Sequence, residues 1–165
     1  MEPRMFRAKH FGSSTWVYGA YWKHLPYTPA PVQESPIPNE DYKYYIINDD
    51  FSDWMMPRKL RLTEVDPETV GQDTGFKDDK GNAVYEGDIV QTITQDNGYN
   101  GDVDPTLYET QGVVTYQHGV VFVKGKVLMD GHELSDSYVE TTGYTELGNV
   151  DVIYVVGNKY DGGKA

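Results

Sequence analysis

Short runs of alternating apolar and polar residues recur along this chain, separated by turns rich in glycine and aspartate. Alternation with a period of two is typical of a β-strand with one buried face. No window keeps apolar residues at helical spacing over three turns, so no long helix is predicted. Strands are predicted within 5–25, 42–47, 58–64, 89–94, 112–116, 119–124, 126–129, 138–147 and 150–156.

Several of these strands carry finer expectations. A Gly12-Ser13-Ser14 turn would divide the first segment into a hairpin. Leu60 and Leu62 alternate with basic residues, which predicts a half-buried strand. A turn at Lys124-Gly125 would separate two strands of a meander. The run 150–156 is the most apolar in the chain, so it is placed centrally in its sheet. Residues 51–56 are expected to form either a turn of helix or a cap on the barrel, and residues 131–137 one short helical turn.

Residues 65–90 carry the densest local signals. Asp78-Asp79-Lys80-Gly81 is typical of a hairpin turn, because aspartate accepts backbone hydrogen bonds and glycine adopts positive φ angles. Glu86-Gly87 predicts a second tight turn, and Tyr85 and Ile89 are expected to point into the core. The glycines and acids of this stretch therefore have a sufficient explanation in turn geometry.

Together these elements predict a mostly β protein with little helix. The expected architecture is a small SH3-like barrel or pseudo-barrel of short antiparallel strands with an N-terminal β extension. Five of the nine prolines lie between Pro26 and Pro38, which predicts an extended connector. The predicted organisation is an N-terminal strand segment at 1–25, a connector at 26–40 and a barrel domain at 41–165, forming one compact unit.

Composition narrows the class of protein. The chain has 165 residues, 38% of them hydrophobic and 13% aromatic, which is globular rather than disordered. The absence of cysteine excludes disulfides and thiol catalysis. No apolar run approaches the ~20 residues of a membrane span, and the N-terminus lacks a secretory signal, so a cytoplasmic protein without a membrane partner is expected. A net charge of −12 disfavours broad contact with a nucleic-acid duplex.

The stretch 65–90 resembles the central signature of the YopX family of bacteriophage and prophage proteins. The matching positions are Glu68, Thr69, Val70, Gly71, Gln72, Thr74, Gly75, Lys77, Asp78, Gly81, Tyr85, Glu86, Gly87, Asp88, Ile89 and Val90. Thinner likeness continues at 5–19, 112–123 and 155–160. The family has no established biochemical activity, so the resemblance implies a phage or prophage context in a bacterial host cell and no mechanism.

Three functions of different classes remain open. The leading hypothesis is a non-catalytic accessory protein that self-assembles or binds another phage or host protein. The second is contact with nucleic acid through a basic patch near Trp and Tyr side chains. Its residues would be Arg7, Lys9, Arg58, Lys59 and Arg61. The third is a small-molecule enzyme that uses signature carboxylates drawn from Glu68, Asp73, Glu86 and Asp88.

Some signature positions are more polar than a turn or strand requires. If the signature marks a binding site, the residues expected there are Arg7, Gln72, Thr74, Tyr85, Glu86 and Asp88. The alternative is a polar network that only holds the fold together. No cofactor is expected and no metal site is assigned, since the four histidines share no ligand spacing. The acidic loop 96–104 matches a calcium-binding loop only in part and is assigned to turn chemistry.

Overall fold

The computed structural model describes residues 4–29, 37–50, 53–96, 106–117, 120–129, 132–133, 144–146 and 150–162. Its contacts divide the chain into two compact units, Met1–Gln72 and Asp73–Ala165. Every strand pairing within either unit is antiparallel.

The first unit is an antiparallel sheet. Its strands are β1 Phe6–Lys9, β2 Trp16–His24, β3 Lys43–Asp49, β4 Leu60–Glu64 and the start of β5 Gly71–Lys77. Single turns of 3-10 helix precede β3 and β5, at Asn39–Asp41 and Pro67–Thr69. The predicted turn at Gly12-Ser13-Ser14 is confirmed, because it joins β1 to β2, with Gly12 at a φ of +107°. Across the sheet these strands follow the order β4-β3-β2-β1-β5.

One face of this sheet carries a small apolar core. Ala8, Ile46 and Val65 are fully buried, and partly buried side chains pack around them. Tyr21 stacks on Tyr44 with ring centroids 6.3 Å apart. Burial, aided by the neighbouring Tyr44, raises the pKa of Tyr21. The alternation of apolar residues in the sequence therefore does select one packed face.

The second unit contains the rest of β5 and seven further strands. These are β6 Ala83–Tyr85, β7 Asp88–Asp96, β8 Thr106–Gln117, β9 Val120–Met129, β10 His132–Glu133, β11 Tyr144–Glu146 and β12 Val152–Asn158. β6 pairs with β5, and a longer sheet follows the order β10-β9-β8-β7-β12, with β11 also paired to β9.

The core of the second unit is almost entirely valine. Its buried members are Val84, Val90, Val114, Val121, Val123 and Ile153. The prediction that Tyr85 and Ile89 point inward is wrong, because both are only partly buried. Successive residues of a strand point to opposite faces of the sheet. Because Val84 and Val90 point into the core, their neighbours Tyr85 and Ile89 point to the opposite face.

Two predictions about strand boundaries and order are wrong. The chain does not turn at Lys124-Gly125; β9 continues through it, and Gly125 pairs directly with Gly112 of β8. A Cβ on either glycine would collide with the backbone of the opposite strand, so these glycines permit close approach rather than a turn. β12 is also not central but last in the strand order, with Tyr154 and Val156 exposed.

The prediction of a mostly β protein of short antiparallel strands with little helix is confirmed. Among the described residues the strand pairings leave both sheets open, so they do not close the predicted barrel. Most of the proline-rich stretch, most of the 96–104 loop and most of 131–137 lie outside the described residues. The predicted boundaries at 25/26 and 40/41 stay predictions.

Candidate functional site

The turn acids of the signature bind backbone amides. The Asp78 carboxylate accepts hydrogen bonds from the N–H groups of Lys80 (3.0 Å) and Asn82 (2.7 Å), and from the Asn82 side-chain amide (3.0 Å). The Asn82 side-chain bond, with these backbone bonds, lowers the pKa of Asp78. Asp79 accepts a bond from Ile153 N (2.7 Å) and donates its own N–H to Ile153 O (3.0 Å). This turn is therefore tied to β12.

Asp88 occupies the second signature turn and is only 2% exposed. Its carboxylate accepts bonds from Tyr85 N (2.8 Å) and from the Asn158 side-chain amide (3.3 Å). Gly87, which lies between Tyr85 and Asp88 in the sequence, has a φ of +87° and donates its N–H to Val114 O (2.9 Å). Asp88 thus holds the turn and fixes it to the end of β12.

The remaining signature polar residues have different surroundings. The Thr74 hydroxyl donates to Val84 O (2.6 Å) and accepts from Phe76 N (3.2 Å), so it braces β5 against β6. Glu86 is half-buried, and its side chain forms no hydrogen bond with any described residue. Gln72 is also half-buried and pairs with Phe6 across β5 and β1.

The six predicted binding residues do not all belong to one unit. Arg7 and Gln72 lie in the first, on neighbouring strands. Thr74, Tyr85, Glu86 and Asp88 lie in the second. The hydrogen bonds of Thr74, Tyr85 and Asp88 favour a structural role for these three residues, and the role of the whole set in binding stays a prediction.

Two of the carboxylates predicted for acid–base chemistry form hydrogen bonds within turns. Asp73 accepts a bond from Gly75 N (2.8 Å), and Asp88 accepts one from Tyr85 N, as acids in turns do. Glu68 is exposed on the 3-10 turn of the first unit. In the part of the chain that the structure describes, no group of three or more His, Asp or Glu side chains is placed to hold a metal ion.

The predicted basic patch separates into distinct groups. Arg7 and Lys9 share one sheet face and approach the Trp16 ring, with Arg7 Cζ 4.7 Å and Lys9 Nζ 5.3 Å from its centroid. Arg58 forms an ion pair with Asp49 (3.2 Å). The strand registers place Leu62 on the face of Arg7, so Arg61, one residue before it, lies on the opposite face.

The face that carries Arg7 and Lys9 is unexpectedly apolar. We call the surface formed by Tyr18, Ala20, Trp22, Tyr45, Ile47, Leu60 and Leu62 the outer face. In the predicted half-buried strand at 58–64 the leucines lie on the exposed face, since Leu60 and Leu62 are 68% and 58% exposed. Tyr18 and Trp22 on the same face are 46% and 54% exposed.

The outer face is continuous across three strands. Ala20, Ile47 and Leu62 pair in one row across β2, β3 and β4, and Trp22 pairs with Tyr45 in the next row. Two acids border it on the same side of the sheet, and each has a cationic partner: Glu64 bonds Lys43 (2.7 Å), and Asp49 bonds Arg58. An apolar centre with a paired polar rim is the arrangement found at protein–protein interfaces.

Sequence reasoning missed Thr69, Asn158 and the outer face. Thr69 is buried and its hydroxyl accepts a bond from Lys9 N (2.8 Å), which ties the signature to β1. Thr69 lies in the stretch 65–90 and Asn158 in the stretch 155–160, where the sequence resembles the family, and a polar side chain within these stretches was the available signal. Within the described residues, no helix is long and apolar enough to cross a membrane.

Fold and site define a small two-unit, all-antiparallel β protein whose signature residues hold its turns in place. The family model described as YopX protein matches residues 32–163. The chain therefore belongs to the YopX family. Comparison with curated proteins and with solved structures found no match.

Proposed function

We propose that this protein is a non-catalytic accessory protein of phage or prophage type that self-assembles through its outer face in the cytoplasm of a bacterial host. The observation that carries the proposal is the row Ala20–Ile47–Leu62, flanked by the exposed Trp22 and Leu60. Contiguous exposed apolar patches on soluble proteins are typical of interaction surfaces.

The energetic argument rests on side chains that gain most from burial. Moving one leucine from water into an interface contributes ~1.5–3 kcal/mol. Trp and Tyr are the residue types that dominate measured interface energies, and Trp22 and Tyr18 are both largely exposed here. The sheet already fixes the backbone of these strands, so association has to order their side chains but no loop.

Charge favours a second copy as the occupant. Two molecules with a net charge of −12 each repel one another over most of their surfaces. On the outer face, Asp49 and Glu64 are neutralised by Arg58 and Lys43 within hydrogen-bonding distance. This face therefore offers two copies a contact with little like-charge repulsion.

The test compares the wild type with Leu62→Asp by size-exclusion chromatography with light scattering over a concentration series. Leu62→Asp puts a charge in the middle of the row and should weaken association by ~100-fold, the loss typical of a central interface residue. Val156→Asp is the matched control: it is an exposed apolar strand residue in the second unit, and it should leave the oligomer unchanged.

A wild type that stays monomeric at every concentration contradicts self-assembly. Affinity purification from infected or lysogenic cells, with wild type and Leu62→Asp as baits, then tests a different occupant. A protein recovered with wild type and Val156→Asp but lost with Leu62→Asp would replace the second copy with that partner.

Nucleic acid is the second candidate, favoured by the approach of Arg7 and Lys9 to the Trp16 ring. A cation beside an aromatic ring is a common element of single-strand binding sites. Gel-shift titration at low salt with single-stranded DNA tests it, using Lys9→Gln as the variant. The control is Lys77→Gln, at an exposed lysine outside the predicted basic patch. The absence of any shift at low salt removes this candidate.

A further inference from the structure

A cavity of about 470 Å³ lies in the first unit, beside the β1–β2 turn, and Tyr18 of the outer face is one of its lining residues. Its size falls in the range of ~300–1,000 Å³ typical of small-molecule sites. Six of the side chains around it are polar: His10, Ser13, Thr15, Asn48, Arg61 and Thr63. No aspartate or glutamate lines it. A lining without acidic residues is unusual in a chain of net charge −12.

The turn between β1 and β2 holds one wall of the cavity. His10 N donates to Thr15 O (2.9 Å), which closes the turn, and Ser13 N donates to His10 O (3.3 Å). The Ser13 hydroxyl lies 3.0 Å from His10 Nδ1 and 3.2 Å from Thr15 Oγ1. The turn therefore gathers two hydroxyl groups and an imidazole on a short, internally bonded loop.

Asn48 supplies an unsatisfied acceptor. Its side-chain nitrogen donates to Tyr18 O (3.2 Å), and this bond fixes the orientation of the amide. Its side-chain oxygen Oδ1 is buried and has no hydrogen-bond partner among the described residues. A buried acceptor left without a donor costs ~1–3 kcal/mol, so Asn48 favours a ligand that brings a hydroxyl or N–H group.

Arg61 supplies an unsatisfied cation. It pairs with Asn48 across β3 and β4, so the two side chains leave the same face of the sheet side by side. Its side chain is exposed and makes no hydrogen bond or ion pair with any described residue. A guanidinium presents several N–H groups in a plane and matches the oxygens of a carboxylate or phosphate.

We propose that this cavity binds a phosphomonoester. Arg61 would bind the phosphate oxygens, and the protonated P–OH of the monoanion would donate to Asn48 Oδ1. The hydroxyls of Ser13, Thr15 and Thr63 can donate to the remaining oxygens, because hydroxyl rotors adapt to the acceptor that is present. The cavity exceeds the needs of inorganic phosphate, so the ester's organic group occupies the remaining space.

Isothermal titration calorimetry tests the proposal with three probes: inorganic phosphate, sulfate and ribose 5-phosphate, at slightly acidic pH. Sulfate carries the same tetrahedral oxygens as phosphate but no proton, so it cannot donate to Asn48. The wild type should bind ribose 5-phosphate tightest and phosphate at least ~10-fold tighter than sulfate, since one hydrogen bond to a buried acceptor is worth about that factor. This comparison tests Asn48 without altering the fold.

Arg61→Gln tests the cation, and Lys59→Gln is its matched control. Both residues are exposed and close in sequence, but only Arg61 lines the cavity. Arg61→Gln should weaken ribose 5-phosphate binding by ~10-fold or more, whereas Lys59→Gln should change it by less than ~2-fold. Circular dichroism checks that both variants fold.

Three results would overturn the proposal. One is no heat of binding for either phosphate probe at ~10 mM, ten times a ~1 mM dissociation constant. Another is equal affinity for sulfate and phosphate. The third is an equal loss in Arg61→Gln and Lys59→Gln, which would indicate general charge attraction. Arg61→Gln and Leu62→Asp test separate contacts, because Arg61 and Leu62 lie on opposite faces of β4.

Discussion

The buried carboxylate of Asp88 accepts a hydrogen bond from the side-chain amide of Asn158, 70 residues further along the chain. Asp88 lies in the stretch 65–90 and Asn158 in the stretch 155–160, two parts of the chain that resemble the family. Asn158 Oδ1 in turn accepts a bond from Tyr160 N (2.8 Å), and Lys159 N donates to Gly87 O (3.1 Å). The two parts of the family pattern are therefore one structural junction, which explains why both are polar.

Asp88→Ala should destabilise the protein by ~2–4 kcal/mol, because it removes the acceptor used by Tyr85 N and by the Asn158 amide in a buried site. Urea denaturation measures the change in the free energy of unfolding. Glu86→Ala is the control, since the Glu86 side chain bonds no residue that the structure describes, and it should change stability by less than ~0.5 kcal/mol. Equal effects of the two substitutions would show that the junction does not stabilise the fold.

Thr69→Val should cost ~1–3 kcal/mol, because its hydroxyl is the acceptor for Lys9 N and also donates to Asp66 O (2.8 Å). Valine keeps the shape of threonine but not the hydrogen bonds. Thr69→Ser keeps the hydroxyl and should cost less than ~1 kcal/mol. Thermal unfolding of both variants checks this, and a serine variant as unstable as the valine variant would contradict the hydrogen-bond explanation.

Gly125→Ala should destabilise the second unit by ~2–3 kcal/mol, because its methyl group would collide with the backbone of Gln111 and Gly112 on β8. A backbone segment paired on both sides cannot move aside as a flexible side chain can. Gly157→Ala is the control, since its Cβ would meet only Ile89 Cδ1 at 4.0 Å. Differential scanning calorimetry measures both, and a fully stable Gly125→Ala would show that β8 and β9 are not in this register.

Stability should fall in acid partly through Asp78. Folding lowers the pKa of this carboxyl below its usual value of 3.8, mainly through the Asn82 amide, so the unfolded chain binds the proton more readily. The stabilisation is therefore complete above pH ~4 and is lost as the pH falls through the folded-state pKa. In urea titrations from about pH 6 to pH 2, the advantage of wild type over Asp78→Asn should shrink below that point.

Asn82→Ala provides the complementary test, because it removes the first cause of the lowered pKa. Its loss of stability relative to wild type should likewise be greatest near neutrality and diminish in acid. An Asp78→Asn variant that follows the wild type at a constant offset over the whole pH range would contradict the assignment.

The candidate sites were only partly predictable from the sequence. Residue type and spacing identified the turns at 78–81 and 86–87, since aspartate and glycine act within a few residues of their own position. The basic residues were grouped by charge alone, and the structure separates them: Arg58 has an ion pair, and Arg61 lies on the other face from Arg7. Which face a residue occupies relative to a distant strand depends on register between strands.

The sequence by itself determined the class of fold, the positions of most strands and the local turns, because alternation and turn chemistry act over a few residues. Only the tertiary structure decided that β12 lies last in its sheet, that Val84 and Val90 are buried instead of Tyr85 and Ile89, and that Asp88 meets Asn158. It also decided that Leu60 and Leu62 stay exposed. An alternating strand specifies two faces, but the strands and side chains that pack against them specify which face is covered.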